Sequence, residues 1–89
     1  MLEKQRSEID RIDAELVKLF EQRMDCVTEI GRIKRDNQLA VFDNSREQLV
    51  LEKAQSRLQN KAYQQAVSAF FQHLMNVTKD YQNNIINHK

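Results

Sequence analysis

Leu2, Ile9, Leu16 and Ile30 share a seven-residue spacing, and Ile12, Leu19, Cys26 and Ile33 form a second row three positions later. Phe20 and Val27 widen the band. Rows three and four apart lie on one side of an α-helix, so the pattern predicts a helix from about residue 3 to about residue 36. Charged residues break into this stripe. Arg23 takes the place of an apolar residue in the first row, and Arg6, Asp13 and Lys34 fall in the row of Phe20 and Val27. A charge buried without a partner costs several kcal/mol in practice, so cations on a core-facing stripe imply counter-ions or a polar cavity that they line. Taken singly, each of the four also reads as a stripe-edge residue whose stem packs while its head reaches water. Arg23, with apolar residues a heptad away on both sides, fits that reading least well.

The stretch from Asp36 to Phe42 breaks the periodicity and reads as a loop, with Val41 or Phe42 tucked in as an anchor. A second helix is expected from about residue 44 to about residue 58, opened either by Asn44 and Glu47 as a capping box or by Asp43 as an equally good cap. Val50, Ala54 and Leu58 lie on one of its faces. Asp43 and Glu47 share a side of its first turn beside Arg46, where acids also complement the helix dipole. After a polar break at Gln59, Asn60 and Lys61, with Asn60 as a possible cap, a third helix is expected from about residue 62 to about residue 86. Val67, Phe70, Phe71, Leu74, Met75, Tyr81 and Ile85 form its apolar face. Thr78 and Gln82, one turn apart on that stripe, add two uncharged hydrogen-bonding groups to the inward-facing set, or else bond to nearby backbone or water. The tail Asn87, His88 and Lys89 is expected to fray.

With no proline and one glycine in 89 residues, the chain has little material for tight turns or hairpins, and an all-α fold is expected. Gly31 weakens the first helix by about 1 kcal/mol relative to alanine without ending it, and marks a place where a neighbour can come close. At ~1.5 Å per residue this helix is ~50 Å long, whereas a folded chain of this size is only ~30 Å across. One end must protrude. That end still carries Ile9 and Ile12, so a second chain is expected to cover it, giving an intertwined homodimer of single-domain chains, residues 1–89.

Charge and chemistry narrow the function. Fourteen basic and 13 acidic residues are interspersed for a net charge of +1, which leaves no basic face for nucleic acid and no polybasic arm for a membrane. The N-terminus lacks the apolar core of a signal peptide and no apolar run approaches a membrane span, so a cytoplasmic protein is expected. Cys26 has no second cysteine in its chain to pair with and is expected as a small buried hydrophobe in a reducing compartment. His73, His88 and one cysteine do not compose a zinc site at recognised spacings. Neither a phosphate-binding glycine loop nor a nucleophile with base and orienter can be traced, so no metal, cofactor or covalent catalysis is expected. What remains is a cavity lined by cations, hydrogen-bond donors and carboxylates, suited to a small, multiply anionic ligand.

The order Arg6, Ile9, Asp13, Leu16, Arg23, Gly31, Lys34, then Val41, Asp43, Arg46, Glu47, then Thr78 and Gln82 resembles the all-helical class of chorismate mutases over nearly the whole chain. Its sharpest parts are Arg23-x7-Gly31-x2-Lys34 and Val41-x-Asp43-x2-Arg46-Glu47. The resemblance implies an intertwined helical homodimer with two equivalent sites. It also implies conversion of chorismate to prephenate, the committed step toward phenylalanine and tyrosine, by a pericyclic rearrangement without a cofactor. By position, Arg23 would pair with a substrate carboxylate and Arg6 would reach in from the other subunit to hold the second. Lys34 and Gln82 would donate to the ether oxygen whose bond to carbon breaks. Glu47 and the backbone near Asp43 would bind the ring hydroxyl, Arg46 would support that corner, and Thr78, where serine is common in the family, would assist at a carboxylate. The loop lacks the proline often found just before the valine.

Two other classes of function fit part of the pattern. A helical dimerisation module explains the periodicity but not Arg23 and Lys34. A regulatory module that binds an aromatic acid without turning it over explains the cations but gives the pair Lys34 and Gln82 no role.

Overall fold

The computed structural model describes residues 1–87; of the tail expected to fray, Asn87 is instead the last residue of the third helix, and His88 and Lys89 lie outside the described residues. Three α-helices follow one another: α1 Glu3–Asp36, α2 Asn44–Ser56 and α3 Gln64–Asn87, with a single 3-10 turn, Lys61–Tyr63, before α3. No described residue is in a strand. α3 packs against both α1 and α2. Among the described residues no helix is long and apolar enough to cross a membrane.

The end of α1 is built by its backbone. Leu39 N–H donates to the Lys34 carbonyl at 2.8 Å and Gln38 N–H to the Arg35 carbonyl at 3.3 Å, so the last turn closes with both bonds of a Schellman motif. That closure requires a left-handed residue just past the cap, and Gln38 takes it at φ 57°. Glycine would adopt this conformation without the clash of a Cβ. Gln38→Gly is therefore expected to stabilise the protein by about 0.5–1 kcal/mol, read as a higher denaturant midpoint at unchanged slope.

Asp43, not Asn44, caps α2. Its backbone is extended and its Oδ1 accepts from the Arg46 N–H at 3.1 Å, which places Asn44 inside the helix. α2 also stops earlier than the sequence predicts, at Ser56. Ser56 Oγ donates to the Lys53 carbonyl, which also takes the helical bond from Arg57 N–H, and Lys61 Nζ donates to the Gln55 carbonyl, which also accepts from Leu58 N–H. Asn60 caps the 3-10 turn through Ala62 N–H, so the α-helical part of α3 begins later than expected, at Gln64.

Gly31 is buried at the α1–α3 crossing. A methyl group there would lie 3.0 Å from Ile85 Cδ1 and 3.3 Å from Gln82 Cγ, so the glycine admits α3 and seats Gln82 against α1.

Burial along α1 differs from the sequence expectation. α3 covers the strip through Arg23, Val27, Gly31 and Lys34, whereas Ile12, Leu16, Leu19, Ile30 and Ile33 in the two heptad rows stay exposed. Cys26 belongs to the second of these rows and is exposed too, not buried. The cause is geometric: one crossing helix covers only part of a wide apolar band. Residues 1–22 are exposed throughout, and the chain extends over 53 × 26 × 14 Å. Only Val27, Ala54 and Met75 form a buried apolar core among the described residues.

Candidate active site

Lys34 holds the loop that closes one side of the site. Its Nζ donates to the Val41 carbonyl at 2.9 Å and makes a longer contact, 3.5 Å, with Gln82 Oε1. Val41 is thus the loop's half-buried anchor, while Phe42 is 56% exposed. Gln82, 3% exposed, also donates from Nε2 to the Val27 carbonyl at 3.0 Å. An ammonium can only donate and a carbonyl can only accept, so these two partners fix which end of the amide faces which. Each nitrogen keeps an N–H that these contacts do not use.

Arg23 is oriented from α3. Its Nη1 donates to Thr78 Oγ1 at 2.6 Å, and the Thr78 hydroxyl donates onward to the Leu74 carbonyl at 2.9 Å. The hydroxyl's one proton is thereby taken up, so Thr78 acts as an acceptor that aims the guanidinium. The backbone-bonded reading of Thr78 thus holds through the Leu74 carbonyl, and the same residue lines the cleft. Burial lowers the Arg23 pKa from its ordinary value, and the nearby charge of Arg46 lowers it further. Each effect disfavours the cation, and an anionic ligand would offset both.

These groups surround a cleft of about 280 Å³ lined by Arg23, Val27, Ile30, Lys34, Val41, Asp43, Arg46, Glu47, Val50, Met75, Thr78, Lys79 and Gln82. The fold therefore gathers Arg23, Lys34, Asp43, Arg46, Glu47, Thr78 and Gln82 into one place from α1, α2 and α3. It does not bring Arg6 there: Arg6 is exposed on the projecting end of α1, seventeen residues or about 25 Å before Arg23 on the same helix. Lys79 is the charged residue that sequence reasoning passed over. It pairs with Glu47 at 3.1 Å and stands 5.0 Å from the centre of the Phe42 ring. Its signal was its position three residues before Gln82 on one helical face.

The charges in the cleft are not balanced. Among the described residues, Arg23, Lys34 and Arg46 form no ion pair and Glu47 is taken by Lys79, while Asp43 caps α2 and keeps its charge. The four cations and two carboxylates of the lining leave an excess of two positive charges. No group of three or more His, Cys, Asp or Glu among the described residues is placed to share a metal ion. An apolar groove of about 400 Å³, lined by Leu16, Val17, Leu19, Phe20, Phe70, Phe71 and Leu74, adjoins the cleft, and Arg23 borders both.

Fold and cleft together define a small all-α domain with an excess of cations and neutral donors lining a cleft between its helices. The family is specific: a family model described as chorismate mutase type II matches residues 5–83, and the chain belongs to that family. Over 47 residues, 53% of this chain, it is also 38% identical to the T-protein of Haemophilus influenzae (strain ATCC 51907 / DSM 11121 / KW20 / Rd), of which the match spans 12%. No solved structure matches the chain.

Proposed function

We propose that the protein is a chorismate mutase, an isomerase that rearranges chorismate to prephenate in phenylalanine and tyrosine biosynthesis, and that residues 1–89 act as one catalytic domain. The observation that carries this reading is the meeting of Arg23 and Lys34 of α1 with Gln82 of α3 in one cleft, with an N–H left over on Lys34 and on Gln82. Chorismate is a dianion whose enolpyruvyl arm must fold over its ring. Cations clamping its two carboxylates supply that orientation. As the ether bond breaks ahead of carbon–carbon bond formation, negative charge gathers on oxygen, and the N–H groups of Lys34 and Gln82 are suited to meet it. Donors that interact more strongly with the transition state than with the ground state raise turnover and do not merely tighten binding. Glu47 and the backbone at Asp43 would receive the ring hydroxyl, with Arg46 supporting that corner.

The same proposal includes a homodimer in which Arg6 is supplied in trans. Its support is the exposed rows of α1, the apolar groove beside Arg23, and a distance along α1 that no side chain spans within its own chain. If folding and association are one equilibrium, the thermal midpoint should rise by about 4 °C for each tenfold increase in protein concentration. A midpoint independent of concentration, with a folded monomer in sedimentation, would remove the dimer.

Following chorismate absorbance with purified protein tests the activity. Loss of the signal with formation of prephenate supports a mutase. Binding measured by calorimetry without loss points to a sensing module, and neither result points to a dimerisation module.

A further inference from the structure

We propose that Lys79 is a positioning residue that keeps the Glu47 carboxylate off the cations meant for substrate. The inference rests on reading the cleft as the chorismate site. The Glu47 and Lys79 side chains are 15% and 27% exposed, and the pair joins the first turn of α2 to α3 at 3.1 Å. The Phe42 ring, from the loop, lies beside the same ammonium, so Lys79 is held by contacts from two other chain segments. A carboxylate this buried needs a counter-ion. If Lys79 were absent, the cations bordering the same cleft would be Arg23, Lys34 and Arg46, none of which has a carboxylate partner among the described residues. Glu47 would turn to one of them. Substrate would then have to displace the carboxylate before it could bind, in the ground state and in the transition state alike. A penalty common to both states raises KM and leaves kcat nearly unchanged. With Lys79 present, one Glu47 oxygen faces the ammonium and the other stays available to accept from a ring hydroxyl.

The test is a set of steady-state measurements on chorismate with wild type, Lys79→Met, Lys79→Arg and the double variant Lys79→Met/Glu47→Gln, each checked for helicity by circular dichroism. Lys79→Met should raise KM about tenfold, the effect of one competing half-buried ion pair, with kcat within about twofold of wild type. Lys79→Arg should restore most of the loss. The double variant should have a lower KM than Lys79→Met alone, because an amide cannot form an ion pair with the cleft cations yet still accepts a hydrogen bond. Removing the partner's charge would also relieve a lysine that served only to hold the fold together, so what separates the two roles is a KM that rises and falls while helicity and kcat stay at wild-type values. If Lys79→Met does not fold, Lys79→Gln in the same two backgrounds gives the comparison. A wild-type KM in the Lys79 variant, or no improvement in the double variant, overturns the inference while an active wild type leaves the mutase reading standing. A wild type that neither converts nor binds chorismate removes that reading and this inference with it.

Discussion

Arg6→Ala and Arg23→Ala homodimers are each expected to lose activity by a hundred- to a thousandfold, on the order of what removing one partner of a desolvated charge pair costs. Co-refolding the two variants in equal amounts is expected to bring back about a quarter of wild-type activity. The fraction follows from the proposed placement of the two arginines. If each site takes Arg23 from one subunit and Arg6 from the other, about half the dimers are mixed, and each mixed dimer holds one intact site and one that lacks both arginines. The fixed length of α1 motivates the experiment: Arg6 stands about 25 Å from Arg23 along one rigid helix, so it cannot serve its own chain's cleft. Mixed dimers shown by mass spectrometry but still inactive would place Arg6 outside the site.

Gln82→Glu is expected to give activity that is highest in acid and declines by about tenfold for each pH unit well above the pKa of the new carboxyl, where wild type is flat. The amide has two N–H groups, one bonded to the Val27 carbonyl and the other free for the proposed bond to the ether oxygen. A protonated carboxyl keeps one O–H at this position, so the variant at low pH should retain part of wild-type activity. Once ionised it offers only acceptors and puts a negative charge beside an oxygen that is itself becoming negative. Burial at a residue 3% exposed, with the Val27 carbonyl facing it, raises the pKa of such a group, and the Lys34 ammonium at 3.5 Å lowers it. The sign is the same wherever the balance falls. Gln82→Ala is the control, slow by a hundred- to a thousandfold at every pH because the donor is absent throughout. Equal turnover of Gln82→Glu and wild type from about pH 5 to about pH 9 would show that Gln82 does not donate to the ether oxygen.

Much of the fold was legible in the sequence because helices are local. The span of α1 matches the periodicity that predicts it, and the near absence of proline and glycine leaves helix as the economical arrangement of the chain. The boundaries of α2 and α3 were less legible. Asp43 and Asn44 are both good caps, and only the extended backbone at Asp43 decides between them. At the early stop at Ser56, Lys61 bonds back to the Gln55 carbonyl from beyond the helix, a contact that no local pattern announces.

The sequence by itself determined which faces of α1 and α3 are chemically unusual. Arg23 and Lys34 interrupt an apolar stripe, Gly31 marks a close approach, and Thr78 and Gln82 add polar groups to the facing helix. Spacing along a helix settles such questions, because residues three or four apart share a side whatever surrounds them. Tertiary structure alone decided which partner each group finds. The rotation of α3 about its crossing at Gly31 gives Thr78 to Arg23 and Gln82 to Lys34 and Val27, and leaves the two heptad rows of α1 uncovered. The pairing of Glu47 with Lys79, 32 positions away, has no periodic signature at all. Two charges on different helices meet only through the angle at which those helices pack, and that angle is set by side chains distributed over both.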